Sequence, residues 1–430
     1  MNRFEYLLAT AILRLCRLVF LLLPVHATRV VLASARNATL EGNLRHLYLA
    51  MRERHPDLEY VLLLEPYSYR FLGKAIYLLR LLRGMYHLCT ARLFIVDNAY
   101  FPIHVAPHRR GTEVVQVWHA AGALKRFGMD TLVPPAEPER SFLHRHYDWV
   151  ISSADASRTP YAAALRTPIE RVLPLGSPRT DPLFDATTLA TSRERLLAAH
   201  PQLAGRRVVL YAPTFRGRGR RKRAAPGLDA RQLRRLLPPE YALVLKAHPN
   251  LDRAATPKDG YDLVIDASAE INELFAVTDV LVTDYSSVIF EYALLRRPLV
   301  LLVPDLAEYE REVGLYLDYR SEMIGTQVAD TPSVAAAILR DDFDLGPYER
   351  FVTRHLGTAT GGARSRFVDR FVTPWAGGEV ARAAGGAART ADEARTVDET
   401  RTAPEAARTA PDAAPAVEGS DTLRAHVSHD

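Results

Sequence analysis

Residues Asp279–Tyr309 read DVLVTDYSSVIFEYALLRRPLVLLVPDLAEY. An apolar, β-branched run, Val280–Val282, ends in Thr283 and Asp284. Two serines, Ser286 and Ser287, lead into a helical pattern from Val288 to Leu295. Pro298 then opens a second fully apolar run, Leu299–Val303. This is strand, tight turn, helix, strand: a βαβ unit with its polar residues at the carboxyl end of the first strand. Backbone N–H groups at a helix start, joined by two hydroxyls, suit an anion such as phosphate. The same residues also suit simple helix capping, and the stretch alone does not choose between the two.

The alternation extends in both directions. Downstream of a Pro-containing lapse between Gly176 and Ala190, strands are expected at Val208–Tyr211, Ala242–Lys246, Leu263–Asp266, Val280–Asp284 and Leu299–Val303. Upstream, they are expected at Val30–Ser34, Tyr60–Leu64, Leu93–Asp97, Val114–Trp118 and Trp149–Ser152, with helical patterns such as Asn43–Arg54 between them. Alternating strands and helices predict parallel sheets covered on both faces. The expected organisation is an α/β chain with two Rossmann-like domains, residues 29–180 and 190–374. A last helical region, about Tyr348–Val372, closes the folded part. From residue 375 to 430 the composition turns to Ala, Arg, Thr, Glu, Asp, Pro and Gly in a loose ARTADE-like repeat, which predicts a disordered tail.

The 430 residues are 48% hydrophobic, enough for sizeable cores, and carry a formal net charge of +5. The two cysteines, Cys16 and Cys89, lie in leucine-rich runs without metal-ligand spacing, as in a protein of a reducing compartment. Leu7–Leu23 is apolar but holds Arg14 and Arg17 in its middle, which disfavours a membrane span. Residues 1–28 are expected to form an amphipathic helix, at a membrane surface or against the protein. The leucine- and arginine-rich helix Tyr69–Ala91 suits an anionic membrane surface too. Arg216–Arg223 (RGRGRRKR) is a highly positive loop that suits phosphates, lipid headgroups or solvent.

Conspicuous polar groups follow the expected strands: His119 after Val114–Val117, Arg179 after Val172–Leu175, Thr214 and Arg216 after Val208–Tyr211, His248 after Ala242–Lys246, and Asp284 to Ser287 after Val280–Val282. Ligands of open α/β sheets bind outside the carboxyl ends of the strands, so two facing sheets would gather these groups around one cleft. The set holds histidines, arginines, Lys125, hydroxyls and an aspartate. No paired carboxylates for glycoside hydrolysis, no GxxxxGK[ST] and no GxGxxG after the first strand occur. Histidine, arginine and serine instead suit binding and cleavage of a diphosphate, with a near-neutral histidine able to take a proton from an attacking hydroxyl.

The segments VVQVWHAAGALKRFG, LPLGSPRTDPLF, VLYAPTFR, LVLKAHP, DVLVTDYSSVIFEYALLRRPLVLLVPDLAEY and GLYLDY together resemble the CDP-glycerol glycerophosphotransferases of teichoic acid synthesis, over roughly Arg29–Val372. The resemblance implies a GT-B-like architecture, two Rossmann-like domains facing a cleft, and peripheral attachment at the cytoplasmic face of the bacterial cell membrane. It implies transfer of glycerol phosphate or ribitol phosphate from CDP-glycerol or CDP-ribitol to a polyprenyl-diphosphate-linked disaccharide acceptor, releasing CMP. No cofactor, metal or nucleic acid is implied. By motif position, His119 resembles the catalytic base and His248 the second essential histidine. Thr283, Asp284, Ser286 and Ser287 resemble the donor loop; Arg179, Thr214, Arg216 and Glu291 are further substrate-binding candidates, and Asp305 either reaches the donor or supports the fold. Two departures stand out: WHAAGALK where the family commonly has WHGTPLK, and Ile324-Gly325-Thr326 where Pro-Gly-Pro is expected. A sugar-nucleotide glycosyltransferase or epimerase of the same architecture, and a non-catalytic polyanion binder, are the alternatives.

Overall fold

The computed structural model describes residues 3–64, 71–133, 139–217, 223–225, 228–246, 259–266, 268–340, 343–357 and 361–377. Within them the chain builds two six-stranded parallel sheets. The first comprises β1 (His26–Ser34), β2 (Glu59–Leu64), β3 (Ala91–Val96), β4 (Glu113–Gln116), β5 (Trp149–Ile151) and β6 (Val172–Leu173), in the order β2-β1-β3-β4-β5-β6. The second comprises β7 (Arg207–Tyr211), β10 (Tyr241–Lys246), β11 (Leu263–Ile265), β12 (Val280–Thr283), β13 (Leu299–Leu302) and β14 (Thr326–Val328), in the order β11-β10-β7-β12-β13-β14. A short antiparallel pair, β8 (Phe215–Arg216) and β9 (Arg223–Ala224), joins the two ends of the arginine-rich run. The last strand, β14, falls in a polar stretch where no strand is expected, because TQV lacks the apolar run that marks its neighbours.

Both sheets are covered on both faces, which explains why their strands read as unbroken apolar runs. Along β1, Val31 and Ala33 enter one core while Val30 and Leu32 enter the other. Along β7, Val208 and Leu210 face one layer and Val209 and Tyr211 the opposite layer. In each sheet the strand order reverses once, between β1 and β3 in the first and between β7 and β12 in the second. Those reversals are where an open α/β sheet leaves room for a ligand.

Three helices bear on the function. Helix α1 (Arg3–Phe20) is held to the body by Leu13, which is fully buried, and by its two central arginines. Arg14 Nε donates to the Val105 carbonyl at 2.9 Å and Arg17 Nε to that of Pro107 at 2.7 Å. The arginines therefore face the protein, while Phe4, Leu7, Leu8, Leu15, Leu18, Val19 and Leu22 are exposed. No helix among the described residues is long and apolar enough to cross a membrane. Helix α2 (Gly42–Arg54) packs Leu44, Leu47 and Met51 on the first sheet. Helix α3 (Phe71–Thr90) lies against α1, with Lys74 paired to Glu5 at 2.7 Å. The closing helix Ala363–Phe371 returns to the first sheet: Phe367, Val368 and Phe371 share a core with Val30, Leu32 and Ile95. The residues from 378 onward lie outside the described residues.

Candidate active site

A cavity of about 580 Å³ is lined from both sheets. The first contributes Arg36 and Asn37 after β1, Asp97 after β3, Asn43 of α2 and His119 after β4. The second contributes Ala212 and Pro213 after β7, Lys246 at the end of β10, Glu270, and Ser286 and Ser287 after β12. Both reversals of strand order thus open on the same space, whose volume suits a small-molecule ligand.

The segment carrying His119 is held in an unusual backbone shape. Trp118, immediately before it, has φ of 51°, the left-handed region that a bulky residue occupies only when its surroundings impose it. Asn43 supplies much of that constraint. Its Nδ2 donates to the carbonyls of Val117 (3.1 Å) and Trp118 (3.0 Å), while its Oδ1 accepts from Ser177 Oγ (3.1 Å) and Arg179 N (3.0 Å). One buried amide therefore ties the His119 segment to the Arg179 turn. The N–H of Trp118 donates to Gln116 Oε1 at 2.8 Å. His119 Nδ1 lies 3.4 Å from the Asp97 carbonyl, the pairing of an Nδ1–H tautomer with Nε2 left as acceptor. Burial, aided by Arg36, lowers His119 to about 3, well below the near-neutral value expected from sequence.

Arg179 bridges the two sides of the pocket. Its guanidinium donates to the His119 carbonyl at 3.1 Å and to Glu270 Oε1 at 2.7 Å. Its Nε lies 3.1 Å from Glu291 Oε1, an ionic contact without hydrogen-bond alignment. Burial raises Glu291 to about 6, although the arginine opposes it. Glu291 is buried behind Arg179 and serves the arginine rather than the cavity.

The remaining residues of the sequence-based set divide. Ser286 and Ser287 line the cavity, half-buried. Ser287 forms no side-chain cap on the helix Val288–Ala293. Asp284 does not cap it either, because its carboxylate receives Thr214 N (2.9 Å), Thr214 Oγ1 (2.9 Å) and Arg216 Nη1 (2.8 Å). Arg216 Nε also donates to Asp305 at 2.6 Å, and Tyr285 donates its hydroxyl to the same carboxylate at 3.0 Å. Thr283 donates to the Ala212 carbonyl at 2.6 Å. Thr214, Arg216 and Asp284 are thus buried and committed to one another, and Thr283 is buried on the Ala212 carbonyl beside them. Lys125 sits near them, its ammonium over the Tyr309 ring and lowered to about 8 by burial. His248 lies outside the described residues. Among the described residues, no group of three or more His, Cys, Asp or Glu could hold a metal ion.

Sequence reasoning did not single out Arg36, Asn43, Asp97, Lys246 or Glu270. Lys246 Nζ donates to the Asp266 carbonyl at 2.9 Å, and burial lowers it to about 8. It and Arg36 carry the signal already used for the others, a polar residue at or just past a strand's carboxyl end.

Two parallel sheets with histidine, arginine, lysine and paired hydroxyls at their shared carboxyl ends define an α/β enzyme of phosphate chemistry. The chain matches CDP-Glycerol:Poly(glycerophosphate) glycerophosphotransferase over residues 15–373 and belongs to that family; it is a CDP-alditol phosphotransferase. The teichoic acid ribitol-phosphate primase of Bacillus spizizenii is 36% identical over 369 residues, covering 83% of this chain and 95% of the relative. The teichoic acid poly(ribitol-phosphate) polymerase of the same organism is 35% identical over 381 residues, covering 87% of this chain and 61% of the relative. In fold, the chain is similar to the wall teichoic acid polymerase TagF, with a TM-score of 0.68 at 20% identity over 87% of this chain and 99% of that one.

Proposed function

We propose that the protein transfers ribitol phosphate or glycerol phosphate from a CDP-alditol to a hydroxyl of a polyprenyl-diphosphate-linked acceptor in teichoic acid synthesis, releasing CMP. The acceptor oxygen attacks the β-phosphorus; the new P–O bond forms as the bond to the CMP oxygen breaks, and CMP leaves with that electron pair. The hydroxyl proton passes to His119 Nε2. A histidine held near 3 is a weak base, but two donor phosphates beside it favour the imidazolium and raise it toward the working range. Lys246, Ser286 and Ser287 hold the diphosphate, and His248 is assigned to stabilising its charge. Arg179 orients His119 from behind through its carbonyl contact. Positioning and fixed charge supply most of the rate enhancement, as in phosphoryl transfer generally.

Residues 29–180 are assigned the acceptor side and 190–374 the donor side, the closing helix of the latter returning to pack on the first sheet. Ribitol is the first donor to try, since a glycerol-phosphate primase of Bacillus subtilis is 27% identical over 60% of this chain, below the ribitol-phosphate relatives. The exposed apolar face of α1, beside the arginine-bearing α3, supports peripheral attachment to the cytoplasmic leaflet.

The observation that carries this reading is the pocket where His119 meets Lys246, Ser286 and Ser287 across the two strand-order reversals. His119→Ala should lower CMP release at least about a hundredfold, the low end of what a positioned base contributes, with CDP-ribitol binding retained. Turnover at the wild-type rate would remove His119 from the chemistry.

A further inference from the structure

The first sheet lines one side of the pocket with residues the proposed donor contacts do not use. β1 ends at Ser34, whose hydroxyl accepts from the N–H groups of Arg36 (3.3 Å) and Asn37 (3.4 Å), so the chain leaves the strand in a fixed turn. Arg36 and Asn37 then line the cavity on the His119 side, across from Ser286 and Ser287. Among the described residues, three cationic side chains line this cavity. Arg179 is clasped by Glu270 and Glu291, and Lys246 donates to the Asp266 carbonyl. Arg36 is exposed, and its guanidinium makes no direct hydrogen bond or ion pair among the described residues; its charge acts at longer range on the Asp97 carboxylate, which burial holds above its usual value.

A guanidinium left without a direct partner in a pocket that handles phosphates is itself a phosphate site, because its planar fork matches two phosphate oxygens. Which phosphate it takes follows from its neighbour. The base touches the attacking hydroxyl, so a charge beside the base, on the same sheet and opposite the donor serines, faces the acceptor. An acceptor ending in an alditol phosphate carries its phosphodiester only one alditol away from that hydroxyl. We propose that Arg36 and Asn37 form an acceptor-phosphate subsite, which selects acceptors already bearing an alditol phosphate over bare sugar acceptors. This rests on the transferase reading above.

The same placement predicts an electrostatic signature at His119. Arg36 is, after burial, the largest cause holding His119 down, with Arg179 adding to it and the Asp97 carbonyl opposing. Removing the Arg36 charge therefore raises His119 and moves the acid limb of the rate profile to higher pH.

The test uses the full chain, a CDP-alditol and two water-soluble short-chain glycoside acceptors that differ only in a terminal glycerol phosphate. The wild type should prefer the phosphorylated acceptor by about tenfold to a hundredfold in kcat/KM, the range for hydrogen bonds to a charged group. Arg36→Gln should bring the two acceptors within about twofold, with the KM for the CDP-alditol changed less than about twofold and the acid limb shifted upward. Arg36→Lys should restore part of the preference through its point charge. Equal losses on both acceptors, or a raised donor KM with the acceptor ratio unchanged, would overturn the subsite and place Arg36 in the fold or on the donor. If the wild type transfers to neither acceptor, the transferase reading fails and takes this inference with it. Transfer by the wild type without discrimination sinks the inference alone.

Discussion

The two sides of the pocket are built on two parallel sheets of the same size, yet their charged groups live differently. Beneath the second sheet's side, Arg216 is buried between Asp284 and Asp305, with the Tyr285 and Tyr309 rings 4.9 and 5.0 Å from its guanidinium carbon. Every polar member of that cluster has its partner inside the protein. On the first sheet's side, Arg36 is exposed, and His119 hangs from a carbonyl at 3.4 Å on a backbone held in the left-handed region. One side is assembled within the protein; the other presents an exposed charge, which the proposed subsite gives to the substrate. Under the proposed function the difference fits the chemistry, because the assembled side would receive the CDP-alditol donor and the open side the acceptor.

The largest effect should come from breaking the assembled side. Arg216→Ala leaves the buried Asp284 and the half-buried Asp305 without their cation, and removing one partner of a buried pair costs about 3–5 kcal/mol. Chemical denaturation should show that loss as a lower midpoint with an unchanged slope. An unchanged midpoint would mean that the cluster is not the framework described, and the contrast between the two sides would collapse.

Asn43 tests the join between the sides. Asn43→Ala removes four hydrogen bonds at once and strands buried carbonyls, each worth about 1–3 kcal/mol when left unsatisfied. Relaxation of the site should bring the net cost to about 2 kcal/mol. The decisive readout is kinetic: kcat should fall at least tenfold with little change in donor KM, since Trp118 then loses its reason to hold φ at 51°. Equal falls in kcat and in folded fraction would reduce Asn43 to a stability residue.

A pH profile sharpens the comparison further. Burial lowers Lys246 to about 8, with Asp266, Glu270 and Glu41 opposing. The ammonium is present below that value and lost above it, so kcat/KM for the donor should fall as pH rises through about 8. Lys246→Arg, which stays charged, should flatten that limb. Lys125 is lowered to about 8 as well but lies with Asp284 and Arg216 rather than in the cavity, so a limb that persists in the arginine variant would be assigned to it.

The sequence exposes strand ends well and partnerships poorly. The runs ending at Ser34, Val96, Tyr211, Lys246 and Thr283 are legible because strands buried on both faces must be apolar throughout. Their ends mark the pocket, and by that rule Arg36 and Lys246 were within reach. Whether a charge at a strand end faces the pocket or a neighbour is a different matter. Asp284, Thr214 and Arg216 read as donor ligands, while in the fold they satisfy one another across about 70 residues of chain. Asn43 was invisible for the same reason: its partners lie 74 to 136 residues away, and nothing local distinguishes it from a polar residue in a helix's first turn. In α1, Arg14 and Arg17 do disfavour a span, but only the packed structure shows them turned inward, to the carbonyls of Val105 and Pro107.

The smallest effect belongs to the stretch that decided the fold. Ser287 precedes the helix Val288–Ala293 without capping it, and its hydroxyl borders the cavity. Were it a cap, Ser287→Ala would cost about 1 kcal/mol of stability and leave the donor KM alone. As a donor ligand it should do the reverse: a midpoint shift close to zero and a rise in donor KM of about fivefold, one ordinary hydrogen bond's worth. Isothermal titration with the CDP-alditol and a thermal melt on the same sample separate the two. The effect is small because Ser286 and Lys246 remain, and a pre-assembled site loses one contact without losing its shape.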